Sequence, residues 1–280
     1  MSPQLHREMY DLLTDSRYDK ETRVVVLTGA GEDFCAGQAL KQYSLEMESQ
    51  PARVRDEVRE KVRLWRNKML RTLPQPLSAR VTGWCLGGAL TVVAGCDIAL
   101  ADNALFGLPQ VNFGYFPAGD TTAVLTQHLN PKHGLYYALS GKMMTAKEAE
   151  RIGLISMALP HADLDGEITA LAGELAQKSP VALQAVNEAW YYSCYSVADV
   201  GYEISNLISQ RMIREQGGRP GLEQFVQKKT QARRRQHETE KHVINVTGGL
   251  YRVNKQNQYQ TSDGRNHVIF EFVRRRVGAG

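Results

Sequence analysis

The chain has 280 residues, 34 Lys plus Arg, 30 Asp plus Glu, and a formal net charge of +4. Its 42% apolar and 23% charged residues are ordinary for a globular protein, and no window approaches ~18 consecutive apolar residues, which excludes a helical membrane span; no membrane partner is expected. From Lys228 onward 12 basic residues face 4 acidic ones, a net of +8, so residues 1–227 carry a net of −4. The basic character therefore belongs to the tail, and no nucleic-acid partner is expected for the body. Met1–Glu8 lacks the apolar core of a secretory signal. Cys35, Cys85, Cys96 and Cys194 lie in apolar runs without paired spacing, as buried packing residues of a cytoplasmic protein would.

In chain order, Arg23–Thr28 is a β-branched run closed by Gly29-Ala-Gly31 and predicts a buried strand. Val54, Val58, Val62, Trp65, Met69 and Leu73 recur at helical steps, predicting one amphipathic helix over residues 53–73, ended by Pro74 and Pro76. A second strand over Leu77–Thr82 runs into Gly83–Gly88, followed by an apolar helix to Cys96 and a third strand over Asp97–Ala101. Beyond Gly119 the pattern is helical. Thr145-Ala-Lys-Glu148 reads as a capping box, with the Thr hydroxyl on a backbone N–H and the Glu reaching back. Helices follow over Leu164–Gln177, Ala182–Tyr192 (after the helix-start pair Ser179-Pro180) and Val197–Arg214. Gly217-Gly218 then breaks the pattern before a short helix over Gly221–Lys229. Strands alternating with helices, then helices alone, predict an α/β core with an appended helical part. In the tail, Asn266–Val273 alternates as a strand does, and the sequon Asn245-Val-Thr247 has no secretory context.

Two glycine-bearing segments, Ala36-Gly37-Gln38-Ala39-Leu40-Lys41 and Gly83-Trp84-Cys85-Leu86-Gly87-Gly88, each follow a predicted strand, and the second opens a helix. Exposed N–H groups there could hold an anion or a developing oxyanion. Alternatively, the glycines serve only tight turns and close packing. The seven histidines show no metal-ligand spacing, no Ser, His, Asp set is recognisable, and surface or core roles are expected for them.

The segments Thr28–Lys41 and Val81–Ala89, with Cys96–Asp102, Phe106-Gly-Leu-Pro-Gln110 and Leu139–Leu154, resemble the crotonase (enoyl-CoA hydratase/isomerase) superfamily. Met1-Ser-Pro3, Lys41-Gln-Tyr43, Gly83-Trp-Cys85 and Glu215–Phe225 look most like its hydroxycinnamoyl-CoA hydratase-lyases. The resemblance covers about residues 1–230. It implies an α/β fold, a crotonase-like ββα spiral over 1–160 with a C-terminal helical trimerisation part over 161–230, leaving 231–280 as a basic tail. It further implies a homotrimer or hexamer and an acyl-CoA thioester substrate, with coenzyme A as part of the substrate and no separate cofactor or metal.

By the same resemblance, backbone N–H groups of Gln38 and Gly88 hold the thioester oxygen. Tyr43 meets a substrate phenol. Ala36, Gly37, Ala39, Leu40, Lys41, Trp84, Leu86, Gly87, Pro109 and Phe113 line the substrate site. Thr91 and Gln110 stand where hydratases carry two glutamates, and they are expected to position water; Gln110 cannot titrate. A second phenol-binding tyrosine is replaced by Asn206, with Tyr202 a helical turn away. Asp120 is a replacement carboxylate, and equally a good N-cap for the helix after it. Lys228, Lys229 and Arg233–Arg235 are either a solvated charge run or a contact for CoA phosphates. Relatives place two strands and a basic segment ahead of the Met-Ser-Pro, and the tail strand is the candidate to complete the sheet here. The expected activity is hydration and cleavage of an enoyl-CoA. The alternatives are a hydrolase or dehalogenase using Asp120, and a non-catalytic CoA- or RNA-binding relative.

Overall fold

The computed structural model describes residues 1–118 and 120–215 and the backbone of 268–274. The expected break at Gly217-Gly218, the helix over 221–229, the basic cluster and the sequon lie outside these residues.

Two sheets organise the described residues. The larger runs in the order β7-β4-β2-β1-β8. Its strands β1 (Thr22–Gly29), β2 (Leu77–Val81), β4 (Ile98–Ala101) and β7 (Met157–Ala158) are parallel, and β8 (Val268–Arg274) is antiparallel to β1. The tail strand foreseen from alternation is thus present, and it covers the β1 edge with Val26 opposite Glu271. The smaller sheet joins β3 (Trp84–Leu86), β5 (Leu105–Gly107) and β6 (Met143–Thr145).

β1 reads as an unbroken apolar run because both of its faces are covered. Val25 and Leu27 enter the main core with Leu77, Ala79, Val81, Leu90 and Trp65. Val24 and Val26 pack on Leu164, Ile168 and Ala172. These last three belong to α7 (His161–Gln177). The main core is closed by α1 (Pro3–Tyr18), which buries Leu5, His6, Met9 and Leu13 along one stripe and is started by Ser2 Oγ accepting from Leu5 N–H at 3.2 Å, an N-cap followed by proline at N1.

The predicted helix over 53–73 is corrected in its second half. A regular α2 (Ala52–Leu64) gives way to a wider turn over Trp65–Met69, in which Leu70 N–H returns to the Trp65 carbonyl, and then to a tighter turn over Leu70–Thr72. Among the described residues the remaining α-helices are α3 (Gly88–Gly95), α4 (Thr121–His128), α5 (Pro131–Ser140), α6 (Ala146–Arg151), α8 (Pro180–Tyr195) and α9 (Ala198–Arg214). Ser179 caps α8 through Ala182 N–H at 3.4 Å. The capping box of α6 is only half formed. Thr145 Oγ1 accepts from Glu148 N–H, but the Glu148 carboxylate takes Arg151 at 2.6 and 2.8 Å, because the guanidinium one turn on outcompetes a backbone N–H,.

Candidate active site

The site begins where the two glycine segments meet. Cys35 and Cys85 form a parallel bridge, with Cys35 N–H donating to the Trp84 carbonyl and Leu86 N–H to the Cys35 carbonyl, both at 2.9 Å. Beyond the bridge both chains need glycine. Gly37 has φ +91, and a side chain there would meet the Leu86 carbonyl at 2.8 Å; Gly87 has φ +56 and lies against the Gln110 amide. The bridge thus joins the segment that carries Gln38 to the segment that ends at Gly88. Gly88 is the first residue of α3, so its N–H has no acceptor within the helix and stands at the positive end of the helix dipole,.

Gln38 is held from below. Trp65 Nε1–H donates to His6 Nδ1 at 3.2 Å, and His6 Nε2 faces Gln38 Oε1 at 3.0 Å. Indole is only a donor, so His6 is the Nε2–H tautomer and donates to Gln38. His6 is fully buried, and burial first, then the nearby Arg66 charge, pushes its pKa down to about 3. It is therefore a neutral positioning group and not a general base at neutral pH. Sequence reasoning left His6 among surface or core histidines; its partners lie 32 and 59 residues away, and no local pattern links them.

Gln110 is at the site. Its Nε2 abuts Gly87, and its Oε1 is buried without a hydrogen-bond partner among the described residues. Tyr43 packs edge-on against His6 at 5.1 Å between centroids, and burial raises its pKa. Leu40, Lys41, Trp84 and Phe113 are exposed around the segments, Pro109 opens the short turn that carries Gln110, and Ala39 N–H is held by the Met1 carbonyl at 2.9 Å.

Three expectations are corrected. Thr91 is fully buried, and its hydroxyl donates to Thr121 at 3.1 Å, tying α3 to α4 instead of positioning water. Asp120 stands at the N-cap position of α4 but makes no capping bond; it is left-handed at φ +65, and its carboxylate accepts from Asn67 Nδ2. A left-handed aspartate aims its side chain away from the helix it precedes, which the sequence does not reveal. Cys194 is exposed, whereas Cys35 and Cys85 are buried as expected. Asn206 and Tyr202, on α9, are exposed.

Comparisons with known proteins show the family and the fold. The family model for enoyl-CoA hydratase/isomerase matches residues 1–234. The chain belongs to the enoyl-CoA hydratase/isomerase family. Hydroxycinnamoyl-CoA hydratase-lyase of Pseudomonas fluorescens is 34% identical over 235 residues, 82% of this chain and 85% of that protein. The 2,3-dehydroadipyl-CoA hydratase of Escherichia coli is 30% identical over 214 residues, 76% of this chain and 81% of that protein. The crystal structure of an enoyl-CoA hydratase from Bacillus anthracis superposes with a TM-score of 0.73 at 26% identity, covering 81% of this chain and 87% of that one. The expected crotonase fold of this enoyl-CoA hydratase/isomerase family member is thereby shown.

Proposed function

We propose that the chain is an enoyl-CoA hydratase-like enzyme acting on a hydroxycinnamoyl-CoA-like thioester, adding water across its α,β double bond and then cleaving the β-hydroxy thioester. The observation that supports this reading is the Cys35–Cys85 bridge, which joins the segment carrying Gln38 to the segment that opens α3 at Gly88. When water attacks Cβ, the π electrons move onto the thioester oxygen, and two fixed N–H donors stabilise that enolate more than the starting carbonyl. Gln110 Oε1 is an acceptor for the attacking water. The proton that the water loses goes to the carboxylate of Asp120, oriented by Asn67, and returns to Cα as the enolate collapses,. In the cleavage step the same carboxylate takes the β-hydroxyl proton, the Cα–Cβ bond breaks to release the aldehyde, and the acetyl-CoA enolate takes that proton at Cα. Tyr43 meets the aryl hydroxyl.

Asp120→Asn tests the proton acceptor: turnover of feruloyl-CoA should fall by about 10²-fold or more, and full retention would remove Asp120 from the mechanism. Gln110→Glu supplies a titratable group beside Gly87 and should raise turnover.

The left-handed, uncapped Asp120 also favours a second reading, hydrolysis or dehalogenation with Asp120 as base or nucleophile. Incubation with a halogenated aryl-CoA decides it, since halide release that disappears in Asp120→Asn would replace the hydratase reading. The exposed apolar side chains of α8 and α9, Val186, Trp190, Leu207 and Ile213 among them, support a homotrimer or hexamer as the working unit.

A further inference from the structure

The wide turn after α2 presents two residues to the site. Trp65 reaches Gln38 through His6, and Asn67 donates to the Asp120 carboxylate. The turn departs from a regular helix in its hydrogen bonding. In an α-helix Leu70 N–H would donate to the Arg66 carbonyl; here it returns to that of Trp65. The Arg71 guanidinium stands in for it. Arg71 is buried, and its Nη1 donates to the carbonyls of Arg66 at 3.0 Å and Asn67 at 3.2 Å. A side chain thus supports a backbone shape that the helical ladder does not close, and turns of this wide kind are frequent at functional sites.

Arg71 is held in turn from a distant part of the chain. Its Nε donates to the Tyr195 hydroxyl at 3.2 Å, and that hydroxyl faces His128 Nε2 at 3.5 Å. A guanidinium is only a donor, so the phenol oxygen accepts from Arg71 and keeps its own proton for His128. Burial first, then the Arg71 charge, lowers the His128 pKa, so the ring is neutral at neutral pH and Nε2 can accept. Tyr195 is the last residue of α8, and its ring packs on Tyr191 at 4.7 Å between centroids. His128 is the last residue of α4, the helix that Asp120 precedes. One phenol therefore ties together the two elements that meet at Asn67 and Asp120.

We propose that Arg71 and Tyr195 are positioning residues, which keep Asn67 on the Asp120 carboxylate and make proton transfer there depend on the seating of α8. The proposal rests on the reading that Asp120 takes the proton from water. Arg71 acts through the Asn67 carbonyl, and Tyr195 acts through Arg71. Loss of the phenol hydroxyl releases Arg71 Nε and lets the Asn67 amide drift from Asp120. The chemical step then slows, while thioester binding at the two glycine segments is kept.

Steady-state turnover of feruloyl-CoA by the full chain tests this. Tyr195→Phe removes the hydroxyl and keeps the ring. Its kcat should fall about tenfold, the worth of a hydrogen bond to a charged group, with KM within about threefold of wild type. Asn67→Ala should lower kcat by itself, and adding Tyr195→Phe to it should cost less than about twofold more, because both changes act on one contact. A merely structural role for Tyr195 would give the same loss in both backgrounds. An undiminished kcat in Tyr195→Phe, a loss taken in KM, or losses that multiply in the double variant overturns the proposal and leaves the hydratase reading standing. A wild type that turns over no feruloyl-CoA overturns both. If Tyr195→Phe fails to fold, Arg71→Lys, whose single ammonium cannot serve the phenol and both carbonyls, carries the same comparison with the same outcomes.

Discussion

His6 is completely buried; burial, the nearby Arg66 charge and the N-terminal amine keep its ring neutral, while the donor from Trp65 and the acceptor in Gln38 fix its tautomer. Its pKa near 3, against an ordinary 6.5, means that the unfolded chain takes up this proton as pH falls below 6.5 while the folded chain refuses it until about 3. Stability is therefore complete above pH 6.5 and is lost through that window, by up to about 1.4 kcal/mol per pH unit from this group. His6→Leu should give a shallower loss of urea stability between pH 6.5 and 4 than wild type, and parallel slopes would contradict the neutral assignment. Gly87→Ala should destabilise by about 1–2 kcal/mol, because an L-residue at φ +56 is strained and its Cβ would stand 2.9 Å from Gln110 Nε2,. A urea midpoint unchanged by that substitution would contradict the strain. The need for glycine at these positions was legible in the sequence, since glycines at two strand ends, one of them opening a helix, mark tight turns or close backbone approach, and Gly37 and Gly87 have positive φ. Arg71 was not legible, since on the amphipathic pattern of 53–73 it reads as one more wet-face cation.

At the scale of elements, strands with a strong local signal were legible. The run Arg23–Thr28 and the segment Leu77–Thr82 became β1 and β2 within a residue or two. β3, β5, β6 and β7 are two or three residues long, too short for alternation to register. The helix over 53–73 kept its apolar spacing but not its hydrogen bonding, because spacing of side chains does not distinguish an α turn from the wider turn at Trp65. β8 was legible as a strand, while its partner was not, since pairing across more than 200 residues leaves no local trace. Its antiparallel register along β1 from Thr22 to Gly29 covers an edge that would otherwise template association. Removing residues 268–280 should lower the melting temperature and promote concentration-dependent aggregation, both read in a light-scattering melt. An unchanged melt would show that β8 contributes nothing to the sheet.

Over the whole molecule, the net charge of +4 separates into an acidic body that holds the fold and a basic end beyond Lys228. The family match, ending at residue 234, falls close to that boundary, so the chemistry belongs to the body. There, His6 joins α1 to Gln38 and to the turn at Trp65, Asn67 joins that turn to Asp120 at the start of α4, and the Cys35–Cys85 bridge joins the two glycine segments, although these residues span His6 to Asp120 in the chain. The central claim is that this site adds water to a conjugated acyl-CoA. Incubation of the full chain with feruloyl-CoA, followed by mass spectrometry of the thioester pool, tests it most directly. The account predicts a thioester heavier by one water, then acetyl-CoA with the aromatic aldehyde; a pool that stays unchanged, or that yields only free CoA and the intact acid, would contradict it.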